Sequence, residues 1–185
     1  MNAVAVAVFA LLSSQTPPSW ITPSWVEQGS HMAKVTSDNN VYYGFVGVGV
    51  ASKIKDSDRL KAAATQRART ELTKILEAYT VQLASEYFQS SRNVAHDDAP
   101  SLEQIAKLVA EKATISEVHV DGETQAMYVR ADLQLDAFVQ AVAASELSTK
   151  YKLFIKHHAR RVHDASIKRD ARPADGAIPD NYASL

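Results

Sequence analysis

The longest regular pattern in the chain is a stripe of apolar residues, spaced three or four positions apart, between Asp56 and about Ser90. The stripe consists of Leu60, Ala64, Ala68, Leu72, Ile75, Leu76, Tyr79, Leu83 and Tyr87. This spacing places the side chains on one face of an α-helix, and neither glycine nor proline interrupts the segment. The pattern therefore predicts one long amphipathic helix, and a small sheet is the natural cover for its apolar face.

Three shorter segments have the composition of β-strands. Val41–Ala51 is rich in β-branched and aromatic residues and follows a cluster of turn-forming residues. Ile115–Val120 and Thr124–Leu133 lie on either side of Asp121-Gly122, a dipeptide typical of a tight turn between paired strands. Alternating apolar residues in the last segment indicate one buried face. We therefore expect about three antiparallel strands.

The first of these strands carries Gly44, Gly47 and Gly49. Glycine inside a strand often marks a close approach by another backbone, and the first half of the long helix is correspondingly rich in alanine. These small residues predict that the helix packs directly on this strand. The order Gly-x-x-Gly-x-Gly lacks the Lys-Ser/Thr ending or the helix start of a phosphate-binding loop, so we expect no nucleotide cofactor.

Two shorter helices complete the predicted domain. Ser101 and Gln104 form a capping box at the start of a helix that runs to about Ala113. Another helix is expected to begin near Asp136. The combined pattern predicts an α+β fold, in which about three antiparallel strands pack against one long helix within a domain spanning residues 41–146.

The two ends of the chain differ from this domain. Ala3–Leu12 is an uncharged apolar run of ten residues, too short to span a membrane but suited to a signal peptide, so residues 1–16 are interpreted as an export signal. No Lys or Arg precedes the run, and its Ala/Val alternation also fits a buried strand. Residues 17–40, rich in proline and turn formers, are predicted to be a linker, and residues 173–185 a disordered tail.

Composition and motifs argue against several functions. Lys and Arg number 20 and Asp and Glu number 21, a balance that argues against a nucleic-acid-binding protein. The chain contains no cysteine, which excludes disulfides, a catalytic thiol and a lipid-modified cysteine. Neither Gly-x-Ser-x-Gly nor His-Glu-x-x-His is present. His157, His158 and His163 have spacings that fit a metal site poorly. We therefore expect no enzymatic activity and no metal or cofactor.

Bulky aromatic residues cluster where the predicted linker meets the first strand. Exposed aromatic side chains are common anchors of protein interfaces. The candidate interface residues are Trp20, Trp25, Tyr42 and Tyr43. The alternative is that the two tryptophans pack back onto the domain.

A basic helical segment follows the domain at residues 147–172. Clustered Lys and Arg side chains can bind phosphates or anionic lipid headgroups. The candidate anion-binding residues are Lys156, Arg160, Arg161, Lys168 and Arg169. The alternatives are that acidic residues elsewhere in the chain neutralise these charges, or that the segment is simply a solvated helix.

The order of motifs resembles a known family. The motifs are Pro23–Val26, Tyr42–Gly49, the helix residues Ala63, Ala64, Ala68, Arg69, Leu72 and Leu76, and Tyr128–Leu133. This order, over about residues 18–145, is similar to the Lpp-twenty type of bacterial outer-membrane lipoproteins and to the N-terminal domain of the flagellar assembly protein FlgT. The resemblance implies an α+β fold, a cell-envelope location and a structural or assembly role without catalysis.

One departure from the family changes the expected location. A lipoprotein needs a cysteine at its cleavage site, and this chain has none. We therefore expect an unanchored periplasmic or envelope-associated protein that binds envelope proteins or copies of itself. The alternative function is a binding module for an anionic polymer or a membrane surface, through the basic segment.

Overall fold

The computed structural model describes residues 22–37, 40–90 and 99–170 of the 185-residue chain. These residues form five helices and four strands. In chain order they are α1 (Ser24–Gln28), β1 (His31–Ser37), β2 (Asn40–Ala51), α2 (Ser57–Ser90), α3 (Ala99–Glu111), β3 (Thr114–Val120), β4 (Met127–Gln134), α4 (Leu135–Ala144) and α5 (Thr149–Asp170). The predicted signal peptide and the predicted C-terminal tail lie outside the described residues.

The four strands form one antiparallel sheet in the order β1-β2-β4-β3. The register pairs Met32 with Phe45 and Gly47 with Ala131. A bulge interrupts the pairing of β3 with β4 between Ile115 and Glu117. The sheet and the 34-residue helix α2 confirm the predicted α+β class, although the sheet has four strands rather than about three.

The additional strand lies within the segment predicted to be a linker. Residues 24–37 form α1 and β1, and β1 pairs with β2 along its whole length, from His31 opposite Val46 to Ser37 opposite Asn40. The expectation of a linker there was wrong. The segment carries little apolar periodicity, so pairing with β2 rather than its own residue pattern makes it a strand.

Helix α2 lies across the sheet and supplies the centre of the core. Asp56 caps the helix, since its Oδ1 accepts a hydrogen bond of 2.8 Å from the backbone N–H of Arg59. Of the nine apolar positions that predicted α2, all except the partly buried Ile75 are buried. Phe45, Val129 and Ala131 cover them from the sheet side. The predicted apolar stripe is therefore confirmed.

The glycines of β2 allow α2 to touch the strand backbone. A Cβ atom placed on Gly49 would lie 2.2 Å from the carbonyl oxygen of Ala64, and one on Gly47 would lie 2.2 Å from that of Ala68. These distances are far inside van der Waals contact, so neither position can accept a side chain. The predicted close packing between this strand and α2 is confirmed.

Helix α5 joins the same core, although its sequence suggested a separate basic segment. Tyr151, Ile155 and Val162 of α5 are buried in the core cluster. Phe45 on β2 packs against Tyr79 of α2 at 5.2 Å between ring centroids. It also packs against His163 of α5, at 5.1 Å. Helices α2 and α5 therefore cover the same face of the sheet.

Candidate functional site

The β1–β2 hairpin extends beyond the rest of the sheet. Strand β2 pairs with β4 only from Gly44 to Ala51, whereas it pairs with β1 from Val46 back to Asn40. Residues 34–37 and 40–43, here called the hairpin tip, are therefore paired only with each other. The hairpin tip leaves large apolar side chains in solvent, with exposed fractions of 54% for Val35, 42% for Val41 and 51% for Tyr42.

Val35 and Tyr42 are direct cross-strand partners on the hairpin tip. Alternation along the strands places them on the sheet face opposite α2, together with Val46. Beside them is a depression of about 120 Å³, whose lining also includes Arg130 and Asp132. Pockets that hold drug-sized ligands have volumes of about 300–1,000 Å³, so this depression is too small for such a molecule.

Helix α5 holds the base of the hairpin tip from the other face. Lys34 Nζ lies 2.7 Å from Asp164 Oδ1, and the Tyr43 hydroxyl donates a hydrogen bond of 3.0 Å to Asp164 Oδ2. The bond with Lys34 lowers the pKa of Asp164, and the same bond raises the pKa of Lys34. One carboxylate thus ties both strands of the hairpin to α5.

His163, the residue before Asp164, is completely buried. Its Nε2 donates a hydrogen bond of 2.9 Å to the carbonyl oxygen of Gly44, whereas its Nδ1 has no hydrogen-bond partner among the described residues. The rings of Tyr43, Phe45 and Tyr79 surround the imidazole, with centroids 5.1–5.9 Å away. Burial lowers the pKa of His163, because desolvation disfavours the charged imidazolium.

The predicted interface residues differ in how far they are exposed to solvent. Tyr42 is exposed, as an interface anchor must be. Tyr43 is half-buried and bonded to Asp164. Trp25 is only 5% exposed, which agrees with the alternative that it packs onto the domain. It is therefore not available as a surface anchor in the monomer. Trp20 lies outside the described residues.

The five predicted anion-binding residues are all exposed on α5. Arg160 forms an ion pair of 3.2 Å with Asp136 of α4, and Arg161 forms an ion pair with Glu86 of α2. Lys156, Lys168 and Arg169 form no ion pair with the described residues. Acidic residues of the same chain therefore neutralise part of the positive charge of the basic segment.

The described residues form open grooves but no cluster of metal ligands. No three of their His, Asp and Glu side chains form a group that could hold a metal ion. Two open grooves of about 620 Å³ lie along α2. Lys107, which lines one of them, forms ion pairs of 2.8 Å with Glu103 and 3.5 Å with Glu77. Among the described helices, none has the length and apolar character needed to cross a bilayer.

No protein-family model matches the sequence, and no curated protein matches it. The fold defines the chain as an α+β protein with an antiparallel sheet covered by one long helix. The resemblance to the Lpp-twenty and FlgT proteins remains a prediction from the sequence motifs.

Proposed function

We propose that this protein is a non-catalytic module of the cell envelope that acts in structure or assembly through protein–protein contacts. The hairpin tip is the proposed contact surface. The supporting observation is the exposed cross-strand pair of Val35 and Tyr42 on a hairpin that projects from the sheet.

The arrangement suits protein recognition for two physical reasons. Aromatic side chains are enriched in interfaces, because they bury a large area at a small cost in side-chain entropy. The attachment of Lys34 and Tyr43 to Asp164 holds the hairpin in place before a partner binds. A preorganised surface loses less conformational entropy on association.

The envelope location is proposed from the sequence. The apolar run Ala3–Leu12 has the length of a signal-peptide core, and the resemblance to envelope proteins supports the same location. Binding of an anionic polymer or membrane surface is the second candidate, and the exposed Lys156, Lys168 and Arg169 favour it. We rank it lower because Arg160 and Arg161 already have acidic partners.

Site-specific photo-crosslinking tests the proposal. A photoreactive phenylalanine analogue replaces Tyr42 in the full-length protein, and in a matched control it replaces Val50. Val50 has a similar exposed fraction, 42%, and lies on the same strand, beyond the hairpin tip. We expect a discrete protein adduct in cells from position 42, and its loss when Val35→Ser is added.

The adduct from position 42 also distinguishes the two kinds of partner. A crosslinked dimer formed by the purified protein would identify a second copy, whereas an adduct formed only in cells would identify another protein. Equal crosslinking from positions 42 and 50, or none from position 42, would exclude the hairpin tip as a contact surface.

A further inference from the structure

The imidazole of His163 joins three elements at one buried point. The imidazole belongs to α5, donates a hydrogen bond to the carbonyl oxygen of Gly44 on β2 and contacts the Tyr79 ring of α2. The pairing of β2 with β4 runs from Gly44 to Ala51, so Gly44 lies at the end of that pairing next to the hairpin tip. The histidine therefore holds the strand where the hairpin tip leaves the sheet.

We propose that His163 is an acid-sensitive latch, whose protonation releases α5 from the β1–β2 hairpin and loosens the hairpin tip. The latch itself depends only on the geometry around His163. Its consequence for partner binding rests on the proposed function of the hairpin tip.

Few charges face this imidazole from the surrounding elements. Lys34 of β1 carries a positive charge that opposes protonation, whereas Asp164 of α5 favours it. Asp164 is already occupied by Lys34 and by the Tyr43 hydroxyl. The Tyr79 hydroxyl of α2 donates elsewhere, to the carbonyl oxygen of Ala159. An imidazolium would thus be buried without a free carboxylate as its partner.

Protonation would also place a new donor where none of the described residues accepts a hydrogen bond from it. Because Nε2 already donates to Gly44, the added proton goes to Nδ1, which has no acceptor among the described residues. Solvation of that proton requires His163 to move out of its aromatic surroundings. Asp164 is the next residue, so the movement disturbs its bonds to Lys34 and Tyr43 as well.

The direction of the pH effect follows from proton binding in the two states. An unperturbed histidine has a pKa of about 6.5, and burial lowers that of His163. Below about pH 6.5 the released or unfolded state binds more protons than the latched state. The latched state is therefore favoured at neutral pH, and acidification progressively destabilises it.

Two measurements on the full-length wild-type protein test the latch. NMR titration follows His163, and a control variant is made at His157, which is exposed on the same helix. Hydrogen exchange follows the amides of His31–Tyr43 at about pH 7.5 and about pH 5.5, with each rate corrected for its intrinsic pH dependence. We expect His163 to titrate below the value of about 6.5 that an unperturbed histidine has. The amides of the β1–β2 hairpin should lose protection at least several-fold more than those of α3.

Variants then assign the effect to one side chain. His163→Gln keeps an amide donor for the carbonyl of Gly44 but does not titrate, so the acid-dependent loss of protection should disappear. His157→Gln is the matched control and should retain that loss. If His163→Gln does not fold, the wild-type measurements alone decide the question.

Each outcome bears on a specific proposal. A His163 pKa at or above about 6.5, or protection of the β1–β2 hairpin that does not change with pH, would overturn the latch. The crosslink from position 42 at neutral pH is independent of these measurements. If the pH effect is observed but the crosslink is not, the latch stands and the hairpin tip is excluded as the contact surface. If the crosslink is observed but the pH effect is not, the contact surface stands and the latch is excluded.

Discussion

The hydroxyl of Tyr79 donates a hydrogen bond of 2.7 Å to the carbonyl oxygen of Ala159 and so ties α2 to α5 inside the core. Burial raises the pKa of Tyr79 far above its ordinary value, so the hydroxyl keeps its proton. Tyr79→Phe preserves the ring packing and removes only this bond. We expect the free energy of unfolding to fall by about 1 kcal/mol in urea denaturation.

Tyr42→Phe is the matched control for that variant, because the ring of Tyr42 is exposed. Its effect should stay within about 0.5 kcal/mol, as for most surface substitutions. Equal losses in the two variants would contradict the role given to the bond between Tyr79 and Ala159.

Gly49→Ala tests the direct contact between β2 and α2. The added Cβ would lie 2.2 Å from both the Ala64 carbonyl oxygen and the Ala68 backbone nitrogen. Helix backbone cannot move aside as a flexible side chain can, so α2 must shift as a unit. We expect a loss of about 3 kcal/mol or more, at or beyond the upper end of ordinary overpacking, measured by thermal or urea unfolding.

Gly122→Ala provides the comparison, since Gly122 is exposed in the loop between β3 and β4. Its stability should change much less than that of Gly49→Ala. A Gly49→Ala protein as stable as the wild type would show that α2 does not rest on the strand backbone.

Local sequence patterns predict α2 but not β1. The apolar stripe of α2 depends on residues three or four positions apart, so Leu72 and Leu76 identify it without tertiary information. The residue pattern does not predict β1, because this strand is stabilised by pairing with β2 and by the Lys34–Asp164 contact, which joins residues 130 positions apart. Only non-local contacts make such a polar segment a strand.

The candidate site was predictable only in part. The sequence indicates Tyr42 as a candidate, because an aromatic residue beside a turn is a sequence feature. The sequence presents His163 only as a poor metal ligand, since its hydrogen bond to Gly44 spans 119 positions in the sequence. The ion pairs of Arg160 and Arg161 likewise depend on how α5 packs against α4 and α2. Composition showed their charge but not their partners.

Asp164→Asn should weaken the attachment of the hairpin tip in a pH-dependent way. Because the pKa of Asp164 is lowered in the folded protein, its ionised form stabilises the fold above the unfolded value of about 3.8. That contribution is lost as pH falls through the lowered folded value. The variant should therefore have faster hydrogen exchange in the hairpin at neutral pH, and a smaller further loss of stability below about pH 4.

This acid range is separate from that of His163, which acts below about pH 6.5. The matched control is Asp121→Asn, which removes a carboxylate that also has a lowered pKa but lies at the β3–β4 loop. This variant should leave the hydrogen exchange of the β1–β2 hairpin unchanged. Unchanged hairpin protection in Asp164→Asn at neutral pH would show that its bonds to Lys34 and Tyr43 do not hold the hairpin.

The proposed export signal makes a prediction about processing. If Ala3–Leu12 is the apolar core of a signal peptide, intact mass should show a mature chain that starts near Pro17 in the periplasmic fraction. Phe9→Asp places a charge inside the run and should block export, whereas Ile21→Asp lies outside the run and should be processed normally. Full-length protein that begins at Met1 and remains in the cytoplasm would refute export and, with it, the proposed envelope location. The crosslinking test of the hairpin tip would still apply, because it depends on the exposure of Val35 and Tyr42 alone.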